Sequence, residues 1–349
     1  MDAEGAMTTV ERDRRPVRAA TARRGLGGAI TRLVARRLGF AVPVLLVVSF
    51  GMFALATLSP FDPVERYFGF RIIGASPERV AQIRANWGVD DPLGSQYLAW
   101  LRNALGGDLG DSLFLHQPVA QVISERLGWS TLLAGTGFTI AVLLGLVLGT
   151  MAAWRTGGRL DRSITGVSYT LEAAPVFWLG LLALYVFAQV LQWLPGGGLT
   201  DPGAAVSVGQ VARHLALPAA VLGVSQAPWF VLFVRQALLE SLTQDYVVGA
   251  RARGLPERTV VLGHALRTSL LPFLTLVGSR VAELITGALL VEVVFSWPGI
   301  AKATVDAGLN VDLSLLAGCT ILLTGIVLLG NLLADVLYAV ADPRVALDG

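Results

Sequence analysis

The stretch Trp129–Trp154, WSTLLAGTGFTIAVLLGLVLGTMAAW, decides the fold class, because none of its side chains is Asp, Glu, Lys, Arg or His. As a helix it reaches about 39 Å at 1.5 Å per residue, more than the roughly 30 Å of a bilayer's hydrocarbon core. Five further apolar runs lie on either side of it: Leu38–Leu58, Val167–Leu194, Leu215–Val234, Leu270–Phe295 and Leu315–Val340. The Val167–Leu194 run has Glu172 near its start and Pro175 just after, so its span begins near Ala173. The pattern predicts an all-α, polytopic membrane protein with about six transmembrane helices.

Composition agrees. The 349 residues are 54% hydrophobic and 15% charged, with a mean hydropathy of +0.63, whereas soluble chains carry about 25% charged residues. The 39 glycines suit helices that pack closely in lipid. The net charge of +2 says little; the placement of the arginines says more. Residues 1–32 form a polar, Arg-rich tail that cannot bury a core and is expected to be disordered. About Ile30–Arg37 it is expected to turn into a short interfacial helix, and Met7 offers a second start. A basic stretch before Leu38–Leu58, with Ala54-Leu55-Ala56, resembles a secretory signal. That run of about 21 residues exceeds the 7–15 of a signal core, and reads as an uncleaved span.

Arginines gather on one side of the predicted membrane: in the tail, at Arg155, Arg159 and Arg162, and at Arg235, Arg251, Arg253, Arg258 and Arg267. The positive-inside rule then places both termini in the cytoplasm, with Arg344 near the end in agreement. The domain plan is a tail (1–32), a permease domain (33–344) and a cytoplasmic C-terminal tail (345–349). Within it, 59–128 is an external segment and 235–269 a cytoplasmic loop. Gln82–Leu105 in the external segment has helical spacing and ends at Gly106-Gly107.

Enzyme chemistry finds no footing. His116, His214 and His264 sit in different polar segments, and neither His-Glu-x-x-His nor Gly-x-Ser-x-Gly occurs. Cys319, the single cysteine, lies in an apolar run and reads as a small packed side chain. No metal site and no cofactor are expected. The single lysine, Lys302, follows Gly299-Ile300-Ala301 and belongs to no phosphate-binding loop, so the chain is not expected to hydrolyse ATP. A secondary transporter coupled to ions would carry several embedded ionisable residues. Arg280 and Glu283 alone lie well inside a span, with Glu292 and Asp335 nearer the ends of theirs.

The loop 235–269 is more elaborate than a connection requires. QDYVVGARARGLPERTVVLGHALRTSL combines small residues (Gly249, Ala250, Ala252), a Gly254-Leu255-Pro256 break and a second helical stretch with Val260, Val261, Leu262 and Leu266. Small side chains admit a partner's backbone, and the glycine permits a sharp turn between short helices. The plainer reading is a solvated basic loop that sets topology.

At these residues the chain resembles ABC importer permeases of the dipeptide/oligopeptide/nickel family, B-type subunit, whose cytoplasmic EAA loop couples them to ATPases. The general pattern is Glu-Ala-Ala, three residues, Gly, nine residues, then Ile or His, any residue, Leu-Pro. Val248 and Gly249 stand where Glu and Ala would be, Ala250 and Gly254 match, His264 and Leu266 match, and Arg267 replaces the proline. Gly107–Ser112, Pro175–Gly180, Val291–Gly299 and Asn331–Arg344 resemble further family blocks, as does Ser59–Pro63.

The resemblance implies a type I importer permease in the bacterial inner membrane, paired with a second, similar permease as a heterodimer. Two cytoplasmic ATPase subunits would supply ATP hydrolysis, and an extracytoplasmic binding protein would deliver substrate. Di- and oligopeptides are the commonest family substrates; nickel chelates or another small solute are the alternative. The resemblance assigns Gly249, Ala250, Arg251, Ala252, Arg253, Gly254, Leu255, Pro256 and His264 to the ATPase-coupling loop, with Ala250 and Gly254 against the ATPase. Arg280 and Glu283, three apart, share one helix face. A central arginine costs about 2.5–3.5 kcal/mol on insertion scales. The two are either an internal ion pair or a lining of the translocation path.

Overall fold

A backbone in lipid has to satisfy its own hydrogen bonds, which helices do within one segment. The computed structural model describes residues 15–58, 62, 64, 76–88 and 90–341, and these are mainly helical. Helix α1 runs from Arg15 to Thr57, followed by α2 (Pro77–Trp87) and α3 (Leu93–Leu105). A two-residue hairpin, β1 (Asp111–Ser112) with β2 (Gln117–Pro118), leads into α4 (Val119–Trp154). Next come α5 (Arg159–Ala173) and α6 (Val176–Ala183), the latter continuing as a π-helical stretch over Leu184–Val190. Helix α7 (Val208–Leu242) is followed by the short α8 (Asp245–Ala252) and α9 (Glu257–Thr259), which runs on as a π-helical stretch, Val260–Ala265. The chain ends in α10 (Leu266–Ser279), α11 (Val281–Val294), α12 (Ile300–Leu309) and α13 (Leu313–Ala341).

The expected spans all fall on helices, but not all are unbroken. Among the described residues four helices are long and apolar enough to cross a membrane, and the pair α5–α6, bent by 104°, makes a fifth when taken as one span. Pro175 causes that bend: it caps α6 and leaves Ala174 extended. The sixth expected span, Leu270–Phe295, is two helices of 14 residues broken at Arg280. Two other expectations are corrected. Residues 15–32 of the expected tail are helical and continuous with the first span. The helical spacing of Gln82–Leu105 resolves into α2 and α3, parted by Gly88, whose φ of 61° ends α2. Residues 1–14 and 342–349, most of Ser59–Pro63 and the end of the Asn331–Arg344 block lie outside the described residues.

The centre of the bundle is the parallel pair α4–α7, in which Gly137 lies beside Leu222, Gly145 beside Phe230 and Gly149 beside Val234. Every fourth residue of α4 from Gly137 (Gly137, Ala141, Gly145, Gly149) is buried. This stripe lets α7 approach so closely that a Cβ on Gly145 would lie 2.2 Å from that of Phe230, while one on Gly223 would lie 2.5 Å from Ile140. Small residues are how helices gain contact where lipid offers no hydrophobic drive. In α7, 61% of the most apolar window is buried, against 11% in α1. Helix α7 is therefore the axis of the fold, and α1 is peripheral.

Candidate functional site

Where α7 ends, the chain folds into an elbow of two short limbs. Val247 and Ala250 lie one turn apart on α8 and are both buried. With Ala153, Leu238, Val260, Val261 and Ala265 they form a small apolar core of their own, onto which Leu255 packs. The chain reverses at Gly254, whose φ of 77° is costly for any residue with a Cβ. Pro256 then opens the second limb. The Ser241 hydroxyl donates to the Ala265 carbonyl (3.0 Å) and shares a hydrogen bond with the Tyr246 hydroxyl, fixing both limbs to the end of α7. Across the reversal the Arg251 guanidinium donates to Glu257 (2.6 Å), which holds that carboxyl below its usual range.

This geometry sorts the nine residues assigned to the loop. Gly249, Arg251, Ala252, Arg253, Gly254 and Pro256 are exposed; Leu255 and His264 are half-buried. Ala250 is a correction: it is 1% exposed and packs into the elbow's own core, so it does not face a partner. Two residues outside the nine stand out instead. Val248 is 55% and Leu262 38% exposed, apolar side chains held outward on the two limbs. The signal was in the sequence: Val247 and Ala250, three apart, fix the inward face and leave Val248 on the other.

At the foot of the elbow the buried Asp161 of α5 accepts Nε and Nη2 of Arg235 on α7, at 2.6 and 2.9 Å, and the Gly157 amide at 2.8 Å. Arg235 is thus a structural cation rather than part of a solvated basic excess. In sequence Asp161 is a single acid between Arg159 and Arg162, with nothing local to mark its partner 74 residues away. Arg37 of α1 pairs with Asp335 of α13 at 2.6 Å.

Buried carboxylates organise the opposite end of α4. Glu292, 1% exposed, accepts the Ser130 hydroxyl (2.6 Å) and the Ala301 and Lys302 amides (2.8 and 3.2 Å). It thereby caps α12 from the side. Residue 299 is glycine because a Cβ there would sit 2.1 Å from the Glu292 carboxyl carbon. Trp297 is buried beside it and donates to the Trp129 carbonyl (3.0 Å). Asp312 caps α13 through the Leu315 amide and holds the hairpin through Ser112 (2.6 Å) and the Phe114 amide (3.0 Å). Above them the 191–207 loop crosses the bundle end, with the Gly198 amide on the Phe295 carbonyl (2.9 Å). His214 faces the Gly197 carbonyl (3.0 Å) and Asp201 (3.3 Å). The Asp201 carboxyl is held below its ordinary range, chiefly by the Gln210 amide and then by His214.

Arg280 lies at the break between α10 and α11, its guanidinium 3.6 Å from the ring centre of Trp229 on α7. The Glu283 side chain lies outside the described residues, and so does the expected Arg280–Glu283 pair.

Residues 145–347 match a family model described as binding-protein-dependent transport system inner membrane component, and residues 30–133 match its N-terminal companion. A putative peptide permease protein of Brucella suis biovar 1 is 38% identical over 90% of this chain and 98% of its own length. The oligopeptide transport system permease protein AppB of Bacillus subtilis is 33% identical over 89% of this chain and 98% of its own. Among solved structures, one of the MetNI methionine ABC transporter in inward-facing conformations is similar at a TM-score of 0.47 and 15% identity, covering 62% of this chain and 97% of that one.

Proposed function

The chain belongs to the family of binding-protein-dependent transport system inner membrane components, and on that premise we propose that it lines the membrane path of an ATP-driven importer of di- and oligopeptides. It is an integral inner-membrane permease subunit. In this reading it pairs with a second permease, two cytoplasmic ATPase subunits and an extracytoplasmic binding protein. Both termini and the elbow face the cytoplasm. The names of the Brucella and Bacillus relatives support peptides as cargo.

The observation that carries the coupling role is the elbow itself. It has its own apolar core, is anchored to α7 by hydrogen bonds, and presents Val248, Leu262 and exposed arginines outward. A loop that only set topology would need no core. Energy delivered by an ATPase beneath the elbow passes into α7, because Leu238 belongs to both.

The test uses Val248→Glu, which changes an outward side chain and leaves the inner core alone. The variant is expected to insert and assemble with the second permease, to lose co-purification of the ATPase, and to lose peptide uptake. Gly254→Val, at a left-handed position costing roughly 1–2 kcal/mol, is expected to do the same by misshaping the turn. Undiminished uptake by both variants would reduce the elbow to a topological connection. Ala250→Glu is no test, because it would break the elbow's own core.

A further inference from the structure

We propose that Arg280, stacked on Trp229, binds the carboxylate of the peptide as it passes the middle of the membrane. The inference rests on the peptide reading above and adds a specificity-determining site to it.

Arg280 sits at the break between two 14-residue helices, one leading from the elbow and the other toward the Glu292 end of the bundle. Its guanidinium lies 3.6 Å over the ring of Trp229, near the middle of α7. A cation at that depth does not face lipid. The neighbouring surface of α7 is suited to water or a polar solute. Ser225, Gln226 and Gln236 share this side of the helix with Trp229, Leu232 and Phe233, and none of the six is buried, while Val231, Val234 and Leu238 on the other side are buried in the bundle. Trp229 keeps 45% of its surface exposed on this side. An unburied face of the central helix that carries three polar side chains, with a cation stacked beside them, is the face we assign to the moving solute.

The chemistry selects the ligand group. Stacking on an aromatic ring fixes the guanidinium plane. Its N–H donors project from the edge of that plane in the fork that matches a carboxylate. The carboxylate of Glu172 on α5 already acts on this guanidinium, and five donors let it serve that group and a passing carboxylate together. A peptide carries such a group at its C-terminus whatever its side chains, so the site would grip many sequences alike.

The experiment reconstitutes the full complex in vesicles with its binding protein and ATPases. Uptake is compared for one peptide with a free C-terminus and with a C-terminal amide. The binding protein is common to wild type and variant, so a change in the ratio of the two rates reports the permease. Arg280→Gln is expected to lower uptake of the free acid at least tenfold relative to the amide, while the loaded binding protein still stimulates ATP hydrolysis. Arg280→Lys is expected to keep much of the preference. Equal loss of both peptides, or an unchanged ratio, overturns the proposal. If Arg280→Gln fails to assemble, Trp229→Leu is read instead: a reduced preference supports the site and an unchanged one overturns it. A wild-type complex that takes up neither peptide overturns the peptide reading and the inference with it. One that transports peptides with a ratio insensitive to Arg280 overturns the inference alone.

Discussion

Glu292 is the residue on which the end of the bundle opposite the elbow depends. Three donors from two elements converge on one buried carboxylate, and a buried donor left without its acceptor costs about 1–3 kcal/mol. Glu292→Ala is expected to lower the melting temperature of the detergent-solubilised protein by several degrees. Gly299→Ala is expected to shift it the same way, because the added methyl enters the carboxyl group. Gly135→Ala, with nothing within 4 Å of its Cβ, serves as the neutral control. Unchanged melting of the first two would show that the cap contributes nothing. None of this was legible locally. Glu292 reads in sequence as a charge near the end of a span, and its partner Ser130 lies 162 residues away. Ala250 shows the converse: its small side chain suggested a docking surface, but its spacing from Val247 turns it inward.

At the scale of elements, the apolar runs located the helices because lipid leaves the backbone little choice. Breaks were harder to foresee. Pro175 reads in sequence as the start of a span, whereas in the structure it accompanies a 104° bend between α5 and α6, since proline restricts the residue before it. The break at Arg280 carried no such mark, because both flanking segments keep helical, apolar composition. The elbow's two limbs were legible from Gly254 and Pro256; the ion pair across them was not. Arg251 holds the Glu257 carboxyl below its ordinary value. The pair therefore contributes fully above the unfolded value of about 4.3, and its contribution is lost as pH falls through the lower, folded one. Both side chains are about half exposed, so the pair adds only about 0.2–1 kcal/mol. Hydrogen exchange of the elbow amides, corrected for intrinsic rates, is expected to speed up by less than about fivefold below that range. Glu257→Gln should reproduce the change at neutral pH. Identical protection in variant and wild type would remove the pair from the account.

For the whole molecule, orientation is the property on which coupling depends, and it can be read chemically. The chain has one cysteine, Cys319, and it is buried. Cys319→Ala gives a background into which single reporters are placed: Ala252→Cys on the elbow and Ala205→Cys in the 191–207 loop, both exposed positions. An impermeant maleimide is expected to label the Ala205→Cys protein in intact cells stripped of outer layers, and the Ala252→Cys protein only after permeabilisation. The reverse pattern would invert the molecule and take the ATPase away from the elbow.

Helix α7 joins those two reporters' surroundings in a single piece. Its 35 residues make a rod about 52 Å long, so a tilt of about 5° around its midpoint swings each tip through roughly 2 Å. Pro218 and Pro228 remove backbone hydrogen bonds from it, yet both are buried in the bundle and α4 lies along the rod as a splint. The close contact along the glycine stripe binds the two helices into one body. If that body tilts about its middle, a sideways push on the elbow is expected to carry the far end, and the loop that crosses it, the other way.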